Sequence, residues 1–350
     1  MRRFGFLFVL LIAVLLLTSS AYASSFDLRL TYWRPCITGL DESPIGVVWR
    51  EIDEDNSYLY ETTYFILHPV PTGVLTDYLI TSGSYPLSAK DRLTASYWSV
   101  KGEASFGSLN PIDFEALEPK DKDYLGTAPP DIDFEGIRFY PRPENIAYGS
   151  KDVEFSVFDM AFQRSLADNE TLKTNLKIGL SYVGFTRHTI YTLIQKDSER
   201  SALYTDLSKD VSQNAKMLGP TIGIEGTIPV LQGAAGGRVS LGALVGAFND
   251  KCKYHHTSTY NPNGLPIDTK PQMIYSAHES YRETVPTVDV EITFNYPLTT
   301  LLTLEAGGKY HAFYIPDPIF HEPYGNALVR DHEPRVISVG GVMVGVRYRF

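Results

Sequence analysis

Residues Val336 to Phe350 read VISVGGVMVGVRYRF, and this closing stretch decides the fold. Val342, Val344, Val346, Tyr348 and Phe350 alternate with Gly341, Gly345, Arg347 and Arg349, and Met343 is the one large apolar residue on the polar side. A period of two marks a strand with one greasy and one polar face. The strand runs to an aromatic last residue. Chain ends usually fray unless a sheet ties them down. In an outer-membrane barrel the last strand pairs with the first, and aromatics sit at the water–lipid boundary. Val346, Tyr348 and Phe350 are therefore expected to carry the signal read by the barrel assembly machinery.

The opposite end supports export. Arg2 and Arg3 precede an apolar run from Phe4 to Leu17, followed by Ala21-Tyr22-Ala23. This is the pattern of a signal peptide cut after Ala23. The run is shorter than the roughly 20 residues of a spanning helix. The expected organisation is thus a signal peptide, 1–23, and one barrel domain, 24–350. Hydrophobic residues are 43% of the chain and there are 23 Tyr, which suits half-apolar strands with aromatic girdles. The formal net charge is −10, and losing Arg2 and Arg3 takes it from −10 to −12, which argues against nucleic acid as a partner.

The same alternation recurs. Phe26, Leu28, Leu30 and Tyr32 alternate with Asp27, Arg29, Thr31 and Trp33. Leu176, Ile178, Leu180 and Tyr182 alternate with Lys177, Gly179, Ser181 and Val183. Similar runs surround Ile224, Leu241, Ile292 and Leu304. Val153, Phe155 and Val157 begin another, whose phase slips near Asp159 in the manner of a bulge. Strands are expected near 26–36, 58–67, 91–106, 152–164, 173–194, 216–230, 238–254, 285–297, 301–316 and 336–350. A soluble sandwich also alternates, but here the polar face is rich in glycine, including Gly179, Gly242, Gly246, Gly307 and Gly341. Glycine weakens a solvent-facing strand and suits the crowded concave side of a barrel.

Pro297–Thr300, Gln232–Gly237 and Ala167–Thr171 read as short links, and 195–216, 255–283 and 316–335 as long ones. Short periplasmic turns and long external loops are the barrel pattern. The fold class is therefore all-β: a transmembrane antiparallel up-and-down β-barrel of about 10 strands, or about 12 with a further hairpin in 40–150. Residues 109–150, rich in proline, read as an external loop with a short strand at Ile137–Tyr140. Cys36 and Cys252 fall on well-separated strands, which argues against a disulfide.

Leu218-Gly219-Pro220-Thr221-Ile222-Gly223-Ile224-Glu225-Gly226 resembles the G-P-x-x-G-x-E strand of the Legionella-type pore-forming outer-membrane protein family. Phe158-Asp159, Ile178–Tyr182 and Leu241–Gly246 resemble its neighbouring strands, although Met160-Ala161 stand where that family carries an acidic residue. The likeness spans roughly 150–250 and the terminal strand. It implies a pore-forming barrel and no catalytic residue.

The inward charges are mixed: Asp27, Glu225, Asp289, Glu291 and Glu305 with Arg29, Lys177, Lys309, Arg347 and Arg349. They predict a narrow charged lumen that passes small solutes or ions. The alternative is a filled structural or adhesive barrel with surface-exposed binding loops, since about eight strands are just filled by side chains. A barrel enzyme is the weakest reading. His278-Glu279-Ser280 is adjacency in sequence, not triad geometry. His255-His256, His321-Glu322 and Asp331-His332-Glu333 could meet at a metal, but loop histidines are commonly just exposed. No catalytic residue, cofactor or metal is expected. The expected partners are outer-membrane lipid and lipopolysaccharide, the assembly machinery, small solutes and, as an open option, further copies of the chain.

Overall fold

The computed structural model describes residues 26–39, 45–52, 58–65, 78–108, 133–134, 137–138, 146–196, 203–260, 272–320 and 330–350. The expected signal peptide lies outside them. The strands in chain order are β1 (Asp27–Thr38), β2 (Ile45–Ile52), β3 (Tyr58–Phe65), β4 (Tyr78–Pro86), β5 (Asp91–Ser108), β6 (Asp133–Phe134), β7 (Ile137–Arg138), β8 (Ile146–Asp168), β9 (Lys173–Lys196), β10 (Leu203–Val230), β11 (Gly233–Tyr260), β12 (Gln272–Pro297), β13 (Leu302–Phe320) and β14 (Arg330–Arg349). β1, β4, β5 and β8 to β14 close an antiparallel barrel in which β14 pairs with β1, Asp27 opposite Arg349. Two hairpins, β2–β3 and β6–β7, stand apart from it.

The barrel has ten strands, but one expected member is wrong. Residues 58–67 were expected in the wall. The strand there, β3, pairs with β2 alone, and β4 takes its place between β1 and β5. Tyr78–Pro86 reads YLITSGSYP, and its small and hydroxyl side chains blur the alternation. The expected loop at 109–150 holds the short β6–β7 hairpin and the start of β8, and the rest of it lies outside the described residues.

The wall is also taller than expected. The segments 195–216, 255–283 and 316–335 were read as long loops, yet β10 and β11 each run 28 residues and β12 runs 26. A membrane-crossing strand needs only about 9–11. Beyond lipid the outward face turns polar, as at Lys216, Asn214 and Lys251, so the apolar–polar alternation fades while the hydrogen-bonded ladder continues.

The short links do form tight turns with local side-chain support. Asn169 Oδ1 accepts the Leu172 amide at 2.7 Å, and Thr299 Oγ1 accepts the Leu302 amide at 3.0 Å. At the turn between β10 and β11, Leu231 adopts φ +53°.

Outward on the turn-proximal half lies an apolar band that includes Leu218, Ile222, Ile224, Leu241, Ile292, Val342 and Val344, all exposed. Leu218 to Ile228 covers about 33 Å of strand, or about 25 Å of height at the usual tilt, which matches a bilayer core. Tyr310 and Tyr314 stand toward one edge of the band and Tyr296, Tyr348 and Phe350 toward the other, as exposed aromatics. Further up β10, outward Lys216 and Asn214 replace the apolar residues.

The inward face has two storeys. Nearest the turns it is charged. Above that it is an apolar core of Trp33, Trp98, Val100, Phe155, Val157, Phe185, Met217, Leu244, Val285, Phe313 and Val339, among others. This explains the change of phase in β8. Val153, Phe155 and Val157 face inward into the core, while Met160 and Phe162 face outward into the band. No residue is inserted at Asp159; the ladder's irregularity lies between Ser165 and Ala167. The inward glycines have two causes. A Cβ on Gly246 would strike Met217 and Phe248 in the core, whereas one on Gly307 or Gly341 would strike the neighbouring strand's backbone at Ile292 or Arg34.

Candidate functional site: the charged lower lumen and the layer above it

The turn-proximal storey is a cavity of about 570 Å³, lined among others by Arg29, Arg92, Glu225, Arg238, Asp289 and Arg347. Its inward positions follow from strand parity. Asp27, Arg29 and Thr31 alternate with outward Leu28 and Leu30, and Asp289 and Glu291 alternate with outward Val290 and Ile292.

The inward charges form connected chains. Arg347 meets Glu305 at 2.5 Å, Glu305 meets Arg29, and Arg29 Nη1 donates to Glu291 Oε1 at 2.6 Å. Arg238 meets Glu291 at 2.9 Å and Asp289 at 2.6 Å, and Lys309 meets Asp289 at 3.2 Å. The chain therefore crosses from β14 through β13 and β1 to β12 and β11. Lower down, Arg349 and Arg92 both hold Asp27, at 3.0 and 3.1 Å. On the facing wall Lys177 pairs with Glu225 at 2.7 Å. Each inward charge named from the sequence thus lies in an ion pair. Glu305 and Lys309 are set deepest, with side chains 1% and 3% exposed.

Sequence reading missed Arg238, the hub of the chain, although it shares the parity of Ser240 and Gly242 one residue before the run noted on β11. It also missed Arg92 on β5. Val346, Tyr348 and Phe350, the residues expected from the sequence to signal assembly, stand outward and exposed at the end of the closing strand.

His311 joins the two storeys. Its ring stacks on Phe313 at 4.2 Å and lies 5.7 Å from Trp98, while Nδ1 is 3.8 Å from Asp289 Oδ1. Above it the aromatics interlock: Trp33 on Trp98, Phe155 on Phe313 at 5.0 Å, and Phe155 on Phe185 at 4.9 Å. Higher still, Tyr281 donates to the buried Asp250 at 3.0 Å, and Gln213 donates to the Pro316 carbonyl at 2.8 Å. The cavity opens toward the short turns and meets this packed layer at its other end.

The residues weighed for other chemistry sit elsewhere. His278 pairs with Asn249 at 3.2 Å on the exposed wall, where Ser280 bonds the same asparagine. Among the described residues, no group of three His, Cys, Asp or Glu could hold a metal ion. His255-His256 lies on β11 and Asp331-His332-Glu333 on β14, while His321-Glu322 lies outside the described residues. Cys36 is exposed on β1 and Cys252 buried on β11, with β12, β13 and β14 between them.

A closed antiparallel barrel with a lipid-height apolar band, aromatic edges and a polar lower interior is an outer-membrane β-barrel. No protein-family profile and no curated protein matches the chain. Among solved structures, it is similar to the outer-membrane protease OmpT of Escherichia coli, at 11% identity and TM-score 0.49, over 93% of this chain and 97% of that one. It is similar to the translocator domain of the autotransporter NalP of Neisseria meningitidis, at 10% identity and TM-score 0.36, over 94% and 89%. The toluene transporter TodX of Pseudomonas putida follows at 9% identity and TM-score 0.26, over 93% and 90%.

Proposed function

We propose that this chain is a filled outer-membrane barrel that presents its tall outer wall as a binding or adhesive platform. The observation that carries this reading is the layer of Trp33, Trp98, Phe155, Phe185 and Phe313, each at most 2% exposed and drawn from β1, β5, β8, β9 and β13. Ten strands enclose more room than the eight that ordinary side chains fill, and these large rings take up the difference. The strands continue well past the apolar band, so most of the described surface outside lipid is wall.

The test is conductance of the refolded protein in a planar bilayer. The filled barrel gives no channel steps above background. A reproducible channel of uniform conductance overturns the reading.

A narrow pore for small solutes or ions is the second reading. The charged cavity that opens toward the turns favours it, as does the resemblance to a pore-forming family. That pore requires the aromatic layer to move aside, so wild-type conductance discriminates between the two.

A further inference from the structure

We propose that the outward face of β10, β11 and β12 above the apolar band is a lipopolysaccharide-binding surface. Lys216 and Arg282 take lipid A phosphates, and Lys251 and Lys253 take acidic groups of the inner core.

The strand registers place these cations. Leu218, Val245 and Thr284 form one row across the three strands, and the first two are exposed members of the band. Two residues higher, the row is Lys216, Ala247 and Arg282. Its two cations flank a small side chain, about 10 Å apart across two strand spacings, immediately above lipid. Higher again, Lys251 stands between Ser212 and His278, and Lys253 between Asp210 and Ser276. Lys251 is about 13 Å along the strand from Ala247 of the Lys216–Arg282 row, or about 10 Å in height. This order suits a molecule with phosphates at the edge of the hydrocarbon and carboxylates or phosphates on the sugars above.

All four cations are exposed, and none has an ion-pair partner among the described residues. The lumen is the reverse, with its arginines and lysines held by carboxylates. On β12, Glu279 and Glu283 share the parity of lumen-facing Tyr281, and on β10 the outward Asp210 beside Lys253 is held by His188 at 2.8 Å.

The wall is also polarised around its circumference. One continuous outward row runs Glu103, Asp152, His188, Ser212, Lys251, His278 across β5, β8, β9, β10, β11 and β12. It is acidic at one end and basic at the other. In a chain of net charge −10, unpaired cations gathered on three neighbouring strands at lipid-headgroup height fit an anionic lipid packed against that side.

The experiment uses the refolded mature chain in detergent and rough lipopolysaccharide as the probe. The comparisons are the same lipopolysaccharide after removal of its phosphates, and phosphatidylglycerol vesicles. The variants are K216Q/R282Q, the fourfold variant adding K251Q/K253Q, and D152N/E154Q on the acidic side. K216Q/R282Q should weaken binding of the phosphorylated form by at least about tenfold and erase the preference for phosphate. The fourfold variant should lose the remaining affinity, and D152N/E154Q should bind like wild type. Thermal unfolding without ligand checks that all variants are folded. Wild-type binding by the fourfold variant overturns the proposal. So does equal affinity of the wild type for phosphatidylglycerol vesicles, which would mean attraction to any anionic surface. Channel activity bears on the filled lumen alone and leaves this surface untouched.

Discussion

Trp33 and Trp98 meet edge to face, 5.2 Å between ring centroids, although their strands never pair. Both are fully buried. β4 stands between β1 and β5 with Tyr78 opposite Trp33, so the two indoles meet across the inner face of its end. Trp33→Ala and Trp98→Ala should each cost about 3–5 kcal/mol, as large-to-small changes in a packed core do. A double-mutant cycle should show coupling of about 0.5–1.5 kcal/mol beyond lost area. The double variant is also the one expected to conduct if any does. Denaturant unfolding and planar-bilayer recording check the two claims, and additive single-variant costs would mean that the rings do not depend on each other.

The charged storey predicts a gradient of sensitivity. Arg29 is the sole link from β1 to Glu291 and Glu305, whose side chains are 9% and 1% exposed. Arg29→Met leaves Glu291 to Arg238 and Glu305 to Arg347, so two deeply buried carboxylates each lose one of two partners, and it should cost about 3 kcal/mol. Arg349 is 52% exposed, and its partner Asp27 keeps Arg92, so Arg349→Ala should cost about 1 kcal/mol or less. Equal losses in urea unfolding would mean that the chain of pairs contributes as isolated contacts.

The face assignment is testable at neighbouring residues. Ile292 is 66% exposed on the lipid side, and Thr293 lines the cavity. Ile292→Arg should cost about 2–4 kcal/mol if it lies near the midplane. Thr293→Arg should cost clearly less, because its guanidinium enters a polar space. A lipid-refolding titration with the opposite order would turn the sheet inside out.

Much of this barrel was legible because lipid imposes a strict rule on one face. Where that rule held, around Leu176–Val183, Val239–Ala247, Val288–Tyr296 and Val342–Phe350, strand and facing could be read together. The rule stops at the edge of the hydrocarbon, and so did the strand expectations, which ended β10, β11 and β12 well short of their tops. The apolar plug was visible only as exceptions. Trp33, Val183, Leu244 and Met343 each broke the polar face, and each belongs to the buried core. Arg238 was missed because a hub is defined by partners on other strands, which no single alternating run displays.

The last prediction concerns closure. Phe350 donates its backbone amide to the Phe26 carbonyl at 2.9 Å, its ring lies 6.0 Å from that of Phe26, and Tyr348 packs edge-on at 4.7 Å. Phe26 is only 5% exposed, so the terminal residue joins a small cluster that fastens the final strand to the first. Deleting Phe350 removes both the amide bond and the ring, whereas Phe350→Ala removes the ring alone. The deletion should therefore lower the folded, heat-modifiable fraction in the outer membrane most, Phe350→Ala should lower it less, and Phe350→Tyr should stay near wild type because an interfacial aromatic remains. Purified barrel of the deletion should also unfold at lower denaturant than wild type, which separates a loss of closure from a loss of recognition during assembly. If the deletion folds to the same fraction and unfolds at the same midpoint, the seam between β1 and β14 holds through its remaining ladder, Asp27 opposite Arg349 to Thr38 opposite Ser338, without help from its last residue.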